Sequence, residues 1–172
     1  MVPPSDVIKA IAGAWVLINN TILDANGTYR DPSTFGTGAN PAGLLMYTPG
    51  GYMSASIEAT EPAWRPTNIS WPTRDNDSVL DSDWASVGRH TLSYAGNYSV
   101  RAWNATHGNI THGPLLYAYL PNMVGTRQER NYTLLEGGNM LYVNAINTKD
   151  GSVGALYWRK ADQKNISEIV VS

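Results

Sequence analysis

The stretch Pro41–Ile57, PAGLLMYTPGGYMSASI, decides the fold. Leu45 and Tyr47 share one parity before the turn, and Met53, Ala55 and Ile57 share one after it. A period of two puts alternate side chains on opposite faces of a strand, so each run has one apolar face. Pro49-Gly50-Gly51 lies between the runs and supplies turn chemistry for a hairpin. The two apolar faces then line the same interior.

The same alternation continues outward from this hairpin. Strands are predicted at about 13–22, 42–48, 51–58, 95–103, 109–119, 125–135, 139–146 and 152–160, separated by Asn26-Gly27, His107-Gly108, Gly137-Gly138 and Asp150-Gly151. Short connections imply antiparallel neighbours in sequence order. About eight such strands close into an up-and-down β-barrel with room for one small ligand, and residues 1–172 read as a single domain. Two segments break the alternation. PPSDVIKAIAGAW reads as a short N-terminal helix with Ser5 or Asp6 as cap. Val79, Leu80, Trp84, Val87 and Leu92 stand near helical spacing, which predicts an inserted helix near 78–93. The Pro-rich run before it has the length of a lid or binding loop.

Composition excludes several function classes. The chain has no cysteine, which removes disulfides, thiolate metal sites and cysteine nucleophiles. A net charge of -2 with 15% charged residues leaves no basic stripe for nucleic acid. No apolar run reaches the roughly 20 residues of a membrane span, and the first residues lack the pattern of a signal peptide. That favours the cytoplasm. Against it stand Asn-X-Ser/Thr sequons at Asn19, Asn26, Asn68, Asn76, Asn97, Asn104, Asn109, Asn131 and Asn165, which in a secreted protein would accept glycans. Localisation stays open on sequence alone, as does homo-oligomerisation. His90, His107 and His112 have no metal-ligand spacing with carboxylates, so no metal is expected. No cofactor motif occurs: GTGANPAG lacks the Lys-Ser/Thr ending of a phosphate loop.

Several pieces in order resemble the lipocalin-like domain family of short bacterial and fungal barrels. They are GAWVL, the hairpin quoted above, YAGNYSV, the run NITHGPLLYAYLPNMVGTRQERNYTL, and the closing LYWRK. The resemblance implies a barrel that carries a hydrophobic small molecule or, as in some related barrels of specialised metabolism, isomerises or cyclises one. Fold alone does not choose between them.

Parity nominates the site. In GTRQERNYTLL, Arg127, Glu129, Asn131 and Thr133 face solvent, which turns Gln128 and Arg130 inward with Tyr132 and Leu134. An inward guanidinium needs a partner. Arg130 therefore either binds a carboxylate, enolate or carbonyl of a ligand, or stacks on Trp15 or Trp158 at a sealed barrel end. Gln128 either orients a ligand carbonyl or partners Arg130. His112 is a candidate acid or base, or a core histidine bonded to backbone. Tyr98, Tyr47 and Tyr117 offer phenolic donors to an oxyanion, or simply pack. Leu45, Met53, Trp158 and Trp84 are candidate walls, and Asn122 is a substrate contact or a turn former. The leading expectation is cofactor-free isomerisation or cyclisation of a mostly apolar molecule, with Arg130, Gln128, His112 and Tyr98 in catalytic roles. The alternatives are a carrier with the same pocket, and an interaction domain with a filled barrel.

Overall fold

A computed structural model describes residues 4–72 and 79–162. Helix α1 (Pro4–Ile11) leads into strands β1 (Gly13–Leu23), β2 (Ala42–Tyr47) and β3 (Tyr52–Glu58). Helix α2 (Asp81–Arg89) follows, and then β4 (Thr91–Ala102), β5 (His107–Ala118), β6 (Gln128–Leu135), β7 (Met140–Ile146) and β8 (Val153–Lys160). Every strand pairs antiparallel with its sequence neighbour, and β8 returns to β1. The sheet is a closed barrel of eight strands.

Burial follows the expected alternation where registers are regular. Leu45, Tyr47, Met53, Ala55 and Ile57 are all buried on the inner wall, as the β2–β3 hairpin requires. Tyr132 and Leu134 are buried on β6, whereas Arg127 and Glu129 are exposed. Three sequence expectations need correction. The inserted helix is shorter than predicted, because Leu92 belongs to β4 and pairs with Ile57. Ser5 and Asp6 lie inside α1 and do not cap it, since the helix begins at Pro4. In β5 the alternation breaks at Gly113, whose φ is 128° and whose added Cβ would lie 2.4 Å from the Thr126 carbonyl oxygen. Beyond this point Leu115 turns inward, while Leu116 and Tyr117 face solvent. Tyr117, at 55% exposure, is therefore not a cavity wall.

One barrel end is sealed. Val7 and Ile11 of α1 are buried beside Trp15, which is fully buried. The last carbonyls of a helix lack partners within it. Here Trp15 Nε1 donates to the Ile11 oxygen at 2.8 Å and Lys160 Nζ donates to the Ala10 oxygen at 2.9 Å. The ammonium of Lys160 also lies 5.2 Å from the centre of the Trp15 ring. The helix is thus fastened to the barrel through its own carbonyls, and the cation over the sealing tryptophan is Lys160.

The sequon asparagines sit on the surface and on the outer wall. Asn19, Asn26, Asn68 and Asn104 are exposed, while Asn97, Asn109 and Asn131 are partly covered. Asn104 Oδ1 accepts from the backbone N–H groups of Thr106 and His107, both at 2.9 Å, and so shapes the β4–β5 turn. Across the strands, Asn109 Nδ2 donates to Asn131 Oδ1 at 2.7 Å, and Asn131 Nδ2 to Asn144 Oδ1 at 3.3 Å. These amides have structural roles as turn and ladder partners. Asn76 and Asn165 lie outside the described residues.

Candidate ligand-binding site

The end opposite α1 opens into a cavity of about 320 Å³. That is near the lower limit of the roughly 300–1,000 Å³ typical of ligand sites. Its wall is drawn from the last residues of β1 (Asn20, Thr21, Ile22), β3 (Ile57) and β7 (Val143, Asn144, Ala145), and the first of β4, β6 and β8. These strand ends all meet at one barrel mouth. Leu92, Leu156, Ala155 and Phe35 add apolar surface, and Arg130 supplies the cation. Among the described residues, none that lines it is acidic.

Arg130 reaches this position because β6 pairs Ile110 with Arg130 on the inner face, one strand repeat before buried Tyr132. Among the described residues no carboxylate forms a salt bridge with it. Its Nη1 donates to the Glu129 carbonyl oxygen at 2.8 Å. Sequence reasoning left two locations for this side chain, and the structure places it at the open cavity and away from the Trp15 seal.

Over part of the mouth runs a strap, residues 35–40, carrying Phe35, which is 5% exposed. Its backbone is held from three sides. His90 Nδ1 donates to the Gly36 carbonyl at 2.6 Å, the Ala39 N–H donates to the Glu61 carboxylate at 2.8 Å, and Thr60 Oγ1 donates to the Asn40 carbonyl at 2.8 Å. Accepting from backbone N–H groups, that of Ala39 first, lowers the Glu61 pKa. His90 in turn stacks on Trp64, with ring centres 3.9 Å apart and planes 2° from parallel. The Pro-rich insert and α2 therefore brace the strap. Trp84 belongs to this brace: it lies half-buried on α2 and is not part of the cavity lining.

Behind the cavity is a buried polar network. Tyr47 Oη lies 2.7 Å from His112 Nε2, and Tyr94 Oη lies 3.2 Å from His112 Nδ1. Burial first, and the nearby charge of Arg130 second, push the His112 pKa down from 6.5 to about 3. The imidazole is neutral at ordinary pH, so one nitrogen donates and the other accepts. Burial also raises both phenols, and Arg130 offsets part of that rise at each. Tyr98 packs edge-on against Tyr47 at 4.9 Å and donates its hydroxyl to the Thr48 carbonyl at 2.8 Å.

Of the residues proposed from sequence, Arg130 lines the cavity. His112, Tyr47 and Tyr98 form the network behind it, with Leu45, Met53 and Trp158 buried in the packed interior. Gln128 Nε2 donates to Thr126 Oγ1 at 2.9 Å, so its amide already has a local partner. Asn122 is exposed in a 3₁₀ turn, Pro121–Met123, and acts as a turn residue outside the barrel. Two residues escaped sequence reasoning. Tyr94 shares the parity of Tyr98, a usable signal. Asn20 was hidden by a register shift between Leu17 and Asn19, which turns the next even-numbered position inward.

The family model for the lipocalin-like domain matches residues 12–161, from the strand after α1 to the end of β8. The chain belongs to the lipocalin-like domain family. Among solved structures it is similar to a redesigned β-barrel, mFAP1, bound to DFHBI, with 12% identity over 89% of this chain and 97% of that one and a TM-score of 0.38. A mutant of the fluorescent protein UnaG is similar at 12% identity, covering 91% of this chain and 99% of that one, with a TM-score of 0.38. A search of curated proteins gave no match. Family membership leaves the ligand to be argued from the cavity.

Proposed function

We propose that this lipocalin-like barrel binds a small, mostly apolar molecule at its open end and holds an anionic or carbonyl oxygen of that molecule on Arg130. The supporting observation is an arginine on a mostly apolar wall with no carboxylate bridged to it among the described residues. A partly desolvated guanidinium gains most from a planar oxygen pair, which it meets bidentately.

Isomerisation or cyclisation needs a group that moves a proton at the substrate. His112, the sequence-based candidate, is neutral, has both ring nitrogens engaged by tyrosines and is not part of the cavity lining. Tyr98 is likewise off the lining. The geometry therefore favours binding, and a catalytic role would rest on Arg130 polarising a carbonyl.

Naphthoate, an aromatic carboxylate, serves as the probe, followed by tryptophan fluorescence. Arg130→Met is expected to weaken it about 10- to 100-fold, the worth of a charge-assisted hydrogen bond of roughly 1.5–3 kcal/mol. The neutral analogue methylnaphthalene should change little. Equal naphthoate affinity in both proteins, with the variant folded, would remove Arg130 as anchor.

A further inference from the structure

Asn20 is 6% exposed and lines the same cavity as Arg130. Its Nδ2 donates to the Gly38 carbonyl of the strap at 3.3 Å, which fixes which end of the amide is oxygen. That oxygen is buried and has no hydrogen-bond partner among the described residues. A buried carbonyl without a donor is costly, and such groups normally find one. Of the polar groups lining the cavity, Arg130 brings only donors, so this oxygen offers the complementary function.

The register locates the two contacts. Asn20 pairs with Leu156, Leu156 with Val143, and Val143 with Tyr132, two residues before which stands Arg130. Asn20 and Arg130 are thus three strands apart around the mouth, about 14 Å of wall at the usual interstrand spacing. The surface between them is supplied by Val143, Ala155 and Leu156. The Nδ2 bond to Gly38 is at the long end for a hydrogen bond, and a turn of the amide that gives up this bond brings its oxygen to a ligand.

Building on the binding function proposed above, we infer that Asn20 is the second polar contact of the cavity. The ligand is then an apolar, ring-sized molecule with a carboxylate or carbonyl at one end, for Arg130, and a hydroxyl or N–H at the other, for Asn20. A hydroxy-acid of aromatic or alicyclic body has this chemistry.

Three probes test it on the wild-type protein: naphthoate, its hydroxy derivative with the hydroxyl and carboxylate on opposite rings, and the methyl ether of that derivative. The hydroxynaphthoate should bind about fivefold more tightly than the methyl ether, which has no donor, the worth of one net hydrogen bond. Asn20→Leu should abolish that preference, while Arg130→Met should weaken all three acids and keep the preference. If hydroxynaphthoate and its ether bind equally to wild type, or if Asn20→Leu weakens all three alike, the assignment of Asn20 fails. If none of the three binds wild type, the binding function itself fails.

Discussion

Taking the protein from pH 6.5 to pH 3 should remove on the order of 4 kcal/mol of stability through His112 alone. The folded pKa, about 3, lies below the ordinary value of 6.5, so between these limits the unfolded chain binds a proton that the folded one refuses. Stability from this group is complete above 6.5 and lost as pH falls through the folded value. Asp31, Glu61 and Asp150 also have lowered pKa values, from ordinary values of 3.8 to 4.5, and work in the same direction at lower pH. Between pH 6.5 and 4.5, where those carboxylates contribute least, His112 should account for a loss of about 2 kcal/mol. Urea denaturation at pH 7, 5.5 and 4.5 measures it. His112→Gln, which keeps a donor and an acceptor between Tyr47 and Tyr94, should be less stable at pH 7 and flatter across this interval. An independent reading comes from the His112 ring proton resonances, which should stay at neutral positions down to pH 4.5. Movement of those resonances near pH 6.5 would show that the ring is not the buried neutral group described.

Trp15→Ala should cost about 3–5 kcal/mol, the range for removing a large aromatic side chain from a core. The tryptophan is fully buried, and three things depend on it: the packing of Val7 and Ile11, the bond to the Ile11 carbonyl, and the face beneath Lys160. Trp15→Phe separates them, because it keeps most of the apolar contact but loses the indole N–H. A loss of about 1–2 kcal/mol is expected there, and Lys160→Met should cost a similar amount, about 1–2 kcal/mol, since it removes both the bond to the Ala10 carbonyl and the cation over the ring. Denaturant midpoints on the four proteins give the comparison. If alanine and phenylalanine cost the same, the base is held by the indole hydrogen bond and not by packing.

The barrel was legible because alternation is a local property, and β2, β3, β6 and β7 keep it without interruption. It made Arg130 visible as an inward cation between Gln128 and Tyr132. Legibility failed where a strand shifts register. The irregularity after Leu17 turned Asn20 inward, and the break at Gly113 turned Leu115 inward, and both depend on pairing with a neighbouring strand that composition does not encode. Sequence also left open which barrel end would be sealed. That depended on α1, whose carbonyls are met by Trp15 and Lys160 from opposite ends of the chain. The neutrality of His112 was equally invisible, since it arises from burial and from Arg130 on the next strand.

The β1–β8 seam governs how quickly such a molecule can form. Seven of its eight strand pairs join neighbours along the chain, and the eighth ties Trp15 to Lys160 and Leu23 to Val153. Hairpins assemble early because the loops they close are short, whereas this last pairing closes a loop of roughly 140 residues. Until it forms, β1 and β8 present open edges, the kind of surface on which strands from other molecules add. During synthesis β1 waits for nearly the whole barrel to emerge, so the interval before closure is when the chain is most exposed to aggregation.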